Sequence, residues 1–241
     1  MAEIPNTLEE AIAQARDATQ AALADGYSRL QVELLLPELK PMPVAVQFIP
    51  ALEQLGSQLK VFFPDAGSAA LARRDWGDVP FKILDVGTGR VPVEKQIQPE
   101  DGIFLFVAPT AVEVAQVEKL CQEAGSRPVV MLNPRLEEVA IIGVGYAGRQ
   151  LRDRFLNTIE SCYYLRPLDR GAVFRCYPSP WQVLLEKGDD YQVIAELPKN
   201  PAGEELELIL ARKNKPAAGS PPPNKPGLIA GLQRFLGIRS Q

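Results

Sequence analysis

The chain has 241 residues, 46% hydrophobic and 23% charged, which suits one large domain with an ample core, plus appendages. A formal net charge of −4 argues against general nucleic-acid binding. There is no histidine, which excludes Ser-His-Asp and Cys-His mechanisms and His-containing metal sites, and the three cysteines lack a CxxC pair, which excludes a four-cysteine zinc site.

In chain order, Thr7 and Glu10 form a T-x-x-E capping box ahead of an alanine-rich amphipathic helix that Gly26 can stop. SRLQVELLLPEL reads as a strand cut off by Pro37. PMPVAVQFIPALEQLG, interrupted by Pro41, Pro43 and Pro50, reads at best as an irregular helix from about Val44 or Pro50 onward. LKVFFPD is a short buried strand, GSAALARRDW a short helix, and VPFKILDVG a strand leading into the loop GTGRVPVEKQIQPEDG.

Residues 102–134 hold the clearest unit. IFLFVAP is a continuous apolar run, too short for a helix and rich in β-favouring residues. Ala111, Val114, Ala115, Val117 and Cys121 then share a helical face, with Thr110 as N-cap, Glu113 in capping-box position and Gly125 as stop. RPVVMLNP is a second apolar run, so strand, helix and strand predict a right-handed βαβ unit. With its neighbours it predicts an α/β fold with a Rossmann-like, mostly parallel sheet over about residues 1–158.

After about Ile159 the helices stop. CYYLRPL, GAVFRCYP, WQVLLEKG, YQVIAELP and LELILARK read as short strands separated by turns, a C-terminal antiparallel β-meander completing one domain over residues 1–212. Residues 213–226 have the composition of a disordered Pro-rich linker. Residues 227–241 read as a short amphipathic helix, with Leu228, Leu232, Phe235 and Leu236 at helical spacing on one face, able to dock on lipid, a partner groove or the chain's own body. No apolar run reaches membrane-span length and the N-terminus lacks a secretory pattern, so the cysteines are expected to be reduced and structural in a cytoplasmic protein.

Three sets of residues are candidates for chemistry. Gly143, Gly145 and Gly148 match the dinucleotide fingerprint G-x-G-x-x-G, follow VAIIG and precede a helical stretch, with Asp169 placed to meet a ribose. The motif comes after four strands and before the meander, however, where a loop opening a helix explains it better. Asp65, Gly87, Thr88, Gly89, Thr110 and Asn133 follow apolar strands, where the ligand crevice of an open α/β sheet lies. The same residue types cap helices wherever strands stop. Arg149, Arg152, Arg154, Arg166, Arg170 and Arg175 form a basic region that can meet anionic headgroups or an acidic partner, with Tyr177 and Trp181 as aromatic anchors. The competing reading is a solvated face paired with Asp153, Glu160 and Asp169 over core aromatics. Cys162 and Cys176 can face each other across a hairpin, although a cytoplasmic disulfide is not expected.

Several strings carry a resemblance: DGYSRLQVELLLPEL, VFFPDAGSAALARRDW, GIFLFVAP with RPVVMLNP, GRQLRDRFLNTIESCYYLRPL and GAVFRCYPSPWQVLLE. Together they resemble a domain-of-unknown-function family of cyanobacteria and chloroplasts that includes the plastid Low PSII Accumulation type photosystem II assembly factor. That domain also occurs fused to a chloroplast adenylate kinase. The resemblance runs from about Ala11 to about Leu210, and in this family the recurrent feature near the glycines is the GRxLRxRF helix.

The resemblance implies no catalytic residues and no cofactor. It implies a non-catalytic assembly or scaffold protein aiding photosystem II biogenesis on the cytoplasmic face of the thylakoid. Its expected partners are a chlorophyll-binding inner-antenna subunit, the membrane insertase and the lipid surface. Arg149, Arg152, Arg166, Arg175, Tyr177 and Trp181 would bind the partner, and the tail would add a weak second anchor. The alternative is a nucleotide- or phosphometabolite-binding protein, and even an enzyme, using Asp65, Thr88, Thr110 and Asn133 or the loop of residues 143–148.

Overall fold

The computed structural model describes residues 3–87, 92, 95–137, 146–188 and 190–213. Within them the strands are β1 (Arg29–Leu34), β2 (Leu59–Phe63), β3 (Lys82–Asp85), β4 (Ile103–Val107) and β5 (Val129–Leu132), followed by β6 (Glu160–Leu168), β7 (Gly171–Cys176), β8 (Trp181–Lys187) and β9 (Asp190–Leu197). The helices are α1 (Leu8–Ala24), α2 (Pro41–Phe48), α3 (Ala66–Trp76), α4 (Val114–Ala124), α5 (Tyr146–Arg154) and α6 (Gly203–Lys213). All nine strands lie in one sheet, in the order β3-β2-β4-β5-β1-β6-β7-β8-β9. The pairs from β3 to β6 are parallel, and those from β6 to β9 are antiparallel. The meander is therefore a continuation of the parallel sheet, joined to it where β6 pairs with β1.

β2, β4 and β5 are buried at every position, as continuous apolar strands covered on both faces must be. β1 differs. Leu30, Val32 and Leu34 join the large core cluster with Ala11, Ala15, Val44, Phe48 and Ala69, which places α1, α2 and α3 on one face of the sheet. Alternate residues of the neighbouring strands point the other way. Phe62, Phe104, Phe106 and Met131 pack there with Val117, Leu120 and Leu151 of α4 and α5. Further along the same face, Tyr164, Val173, Trp181 and Val183 pack with Leu206 of α6. Gln31 is opposite Met131, and Glu33 is opposite Tyr164. Two polar residues thus occupy the seam between two separate apolar clusters.

A bulge sits beside the seam. Gln31 is paired with Ser161 but Val32 with Tyr163, so Cys162 is the extra residue on β6. Its thiol turns to the α1 face, 3.5 Å from the Thr19 hydroxyl. The other end of the sheet holds a buried ion pair, Lys60 to Asp101 at 2.6 Å, with the Lys60 ammonium also donating to the Gln96 carbonyl. Arg127 donates to the carbonyls of Gln98 and Asp101 at 2.8 and 3.3 Å and to that of Ala124 at 3.0 Å, tying the end of α4 to the same loop.

Several expectations need correction. α2 begins at Pro41, not near Val44, because prolines in the first turn forfeit only N–H groups that have no helical acceptor. α4 begins at Val114. Thr110 and Glu113 do pair as a capping box would, Thr110 N–H to Glu113 Oε2 at 2.9 Å, but they close a turn ahead of the helix. LELILARK is not a strand: α6 covers it, and the meander ends at Leu197. Its apolar residues fit both periods, and packing of Leu206, Ile209 and Leu210 against Trp181 and Val183 selects the helix. The three cysteines are unbonded and buried. No helix among the described residues is long and apolar enough to cross a membrane.

Candidate functional site in the sheet seam

The seam between the two clusters opens into a groove of about 600 Å³. Gln31 and Glu33 of β1 form its floor, and Pro134, Leu136, Leu156 and Ile159 its apolar walls. Arg135, Glu137, Asn157 and Asn200 complete the lining. The volume lies within the range of about 300–1,000 Å³ common for ligand pockets. Three segments build it: the stretch leaving β5, the 3₁₀ turn Leu156–Thr158 after α5, and the approach to α6.

Glu33 is the unusual group. The Gln31 amide donates to its Oε2 at 2.9 Å, and the Ser161 hydroxyl reaches the same oxygen at 3.5 Å. These are its hydrogen-bond partners among the described residues, and neither carries charge. Burial raises its pKa to about 7, against a smaller opposing effect of the Ser161 hydrogen bond. The neighbouring Tyr164 phenol is also raised, first by burial and then by Glu33. A carboxyl poised near neutrality inside a groove can hold a proton, donate it in a hydrogen bond, or ionise against an arriving cation.

Beyond Tyr164 the floor continues into an aromatic and cationic patch. Tyr164 and Trp181 meet edge to face at 4.9 Å, and the Arg175 guanidinium lies 5.4 Å from the Trp181 ring. Arg175 is ion-paired with Glu160, while its Nε is buried without a hydrogen-bond partner. At the groove rim Arg152 pairs with Glu137, and on the same helix Arg154 holds Glu118 through two bonds of 2.6 and 2.9 Å. Among the described residues no group of three or more Cys, Asp or Glu is arranged to hold a metal.

The residues singled out by sequence fall in different places. Asp65 caps α3, accepting from the Ser68 amide at 2.9 Å and hydroxyl at 2.7 Å, which lowers its pKa. Gly87 follows β3 with φ of 75°, a conformation suited to glycine. Thr110 bonds Glu113 through both its amide and its hydroxyl. Asn133, at φ 48°, accepts the Leu34 amide on Oδ1 at 2.6 Å and so links the ends of β5 and β1. Gly148 is buried inside α5. Thr88, Gly89, Gly143, Gly145, Leu228, Leu232, Phe235 and Leu236 lie outside the described residues.

The partner set divides as well. Arg149 and Arg166 are exposed, Arg152 and Arg175 are ion-paired, and Trp181 is buried under Arg175. Tyr177 belongs to the opposite side, its ring 5.7 Å from Tyr27 and its hydroxyl donating to Asp25 at 2.7 Å at the end of α1. Sequence reasoning passed over Gln31, Glu33 and Ser161. The available signal was the alternation in RLQVEL: polar residues on one side of a strand that turns out to be central, with β5 and β6 on its two flanks.

The comparison with known families covers this whole framework. The family model described as a domain of unknown function, DUF1995, matches residues 5–208, which include all nine strands, the groove and the first half of α6. The shared unit is therefore the complete sheet with its seam, and this chain belongs to the DUF1995 family.

Proposed function

We propose that this protein is a non-catalytic assembly or scaffold factor that engages a partner polypeptide, and that its setting is photosystem II biogenesis at the thylakoid surface. The single observation that carries the binding role is the seam groove, in which amide and carboxyl groups stand beside Pro134, Leu136, Leu156 and Ile159. That mixture suits a polypeptide, whose backbone needs hydrogen-bond partners and whose side chains need apolar contact. The photosystem II setting rests on the resemblance of the long sequence strings described above. The exposed Arg149 and Arg166, together with residues 228–238, supply a second, weak attachment to membrane or partner.

Affinity capture of the tagged full-length protein from gently solubilised cyanobacterial membranes tests this, with mass spectrometry of the bound chains. Enrichment of photosystem subunits or the insertase over an untagged control is expected. Recovery of soluble metabolic enzymes alone, or of nothing, overturns the assembly reading. Deleting residues 226–241 should lower membrane association without moving the melting temperature of the body. The nucleotide-binding alternative has less support, because the side-chain oxygens of Asp65, Thr110 and Asn133 already serve local turns and backbone. A thermal shift with ATP or NADH would reinstate it.

A further inference from the structure

We infer that the seam groove captures an extended segment of a partner protein by seating one lysine or arginine side chain of that segment against Glu33. The inference deepens the partner-binding reading above and rests on it. Its basis is a missing charge. Glu33 sits on the groove floor, and both its hydrogen-bond partners, Gln31 and Ser161, are neutral. Its Oε1 has no hydrogen-bond partner among the described residues. Buried carboxyls in folded proteins ordinarily meet a cation or a set of backbone amides.

The cations nearby do not fill that role. Arg135 lines the groove but makes no ion pair with Glu33, and Arg152 is held by Glu137. Arg175 is held by Glu160, and the exposed Arg166 bonds the Tyr164 phenol. The rest of the lining suits what would surround a bound cation. Asn157 offers a primary amide able to donate to a peptide carbonyl and accept from a peptide N–H, while the amides of Gln31 and Asn200, already bonded to Glu33 and Tyr164, keep part of that capacity. Leu156 and Ile159 offer apolar contact for flanking residues. Guanidinium and ammonium groups both match a single half-buried carboxylate, whereas an acidic or purely apolar segment would leave Glu33 uncompensated.

Seating a cation favours the ionised carboxylate, so binding below neutrality releases a proton from Glu33 and affinity rises with pH until the free carboxyl is ionised. The groups around Glu33 are Gln31 on its own strand, Ser161 and Tyr164 on β6 with Arg166 bonded to Tyr164, Arg135 and Glu137 after β5, and Asn200 before α6. Tyr164 is raised and stays neutral in this range, and Glu137 is paired with Arg152. Glu33 is therefore the group expected to set the pH dependence.

The test uses the full chain and two blocked pentapeptides, identical except for a central arginine or its neutral isostere citrulline, measured by calorimetry. Wild type should prefer the arginine peptide by at least about tenfold, and Glu33→Gln should abolish that preference. The arginine affinity of wild type should rise between about pH 5.5 and about pH 7.5, while that of E33Q stays flat. Equal binding of both peptides, binding of neither, or a preference that survives in E33Q overturns the inference. Free arginine amide binding as tightly as the peptide would instead make this a small-cation site and overturn the polypeptide claim. If wild type shows no arginine preference and E33Q still captures the same membrane complexes as wild type, the groove assignment fails and the assembly reading stands. If wild type captures no photosystem complex but shows the preference, the setting fails and the cation site stands.

Discussion

Replacing Glu33 by glutamine should make the protein more stable at neutral and alkaline pH, an effect opposite to the usual loss of a buried polar contact. The sign comes from the direction of the shift. Glu33 titrates near 7 in the folded protein, against 4.5 for the reference side chain. Below about pH 4 the carboxyl is protonated in both states and contributes nothing to pH dependence. Between the two values the unfolded chain loses the proton while the folded protein keeps it, so stability falls as pH rises. Above 7 both states are ionised and the penalty is constant. At about 1.36 kcal/mol per pKa unit the full difference is at most about 3 kcal/mol, and water entering the groove reduces it. Glutamine is nearly isosteric, keeps a hydrogen-bonding head group beside Gln31 and Ser161, and never ionises. Urea denaturation of wild type and E33Q at about pH 4, pH 6 and pH 8 isolates this group, since the other titrations are common to both proteins. The stability of E33Q relative to wild type should increase by about 1–3 kcal/mol from the lowest to the highest pH. A flat difference, or one that decreases with pH, would refute the assignment of an uncompensated carboxyl in the seam.

Other substitutions probe the frame around the site. Asp101→Asn or Lys60→Met leaves one half of a buried ion pair alone and should cost about 3–5 kcal/mol in urea denaturation, whereas the double replacement by apolar residues should cost clearly less. At Gly171 an added Cβ would stand 2.0 Å from the Leu184 carbonyl oxygen, so Gly171→Ala should force β7 and β8 apart. A loss of about 1–3 kcal/mol or more is expected, with the faster amide exchange confined to the meander. Asp65→Ala should lose about 1 kcal/mol with the α3 cap, and Asp65→Asn should retain most of it. If D65N instead lost a ligand-induced thermal shift, the residue would have a role beyond capping.

How far the sequence sufficed can be judged from individual elements. The runs LKVFF, IFLFV and VVML were legible as buried parallel strands, because a strand covered on both faces has no polar side. The Thr7 cap and the Gly125 stop were legible because capping geometry is local; Thr7 does accept the Glu10 amide, and Gly125 does lie at positive φ. The last element was not. LELILARK satisfies both the strand and the helix pattern, and the choice belongs to Trp181 and Val183, more than twenty residues earlier in the chain.

The site illustrates the same limit. Local pattern determined that Gln31 and Glu33 share one side of a strand and Leu30, Val32 and Leu34 the other. That β1 is flanked by β5 and β6, and that the apolar clusters under α5 and α6 leave a gap above it, follows from pairings across about 100 residues or more. Periodicity records which way a side chain points within its own element. It carries no record of which distant segment covers that side, and it is this covering that decides whether a carboxylate is solvated or left in a groove without a counter-charge.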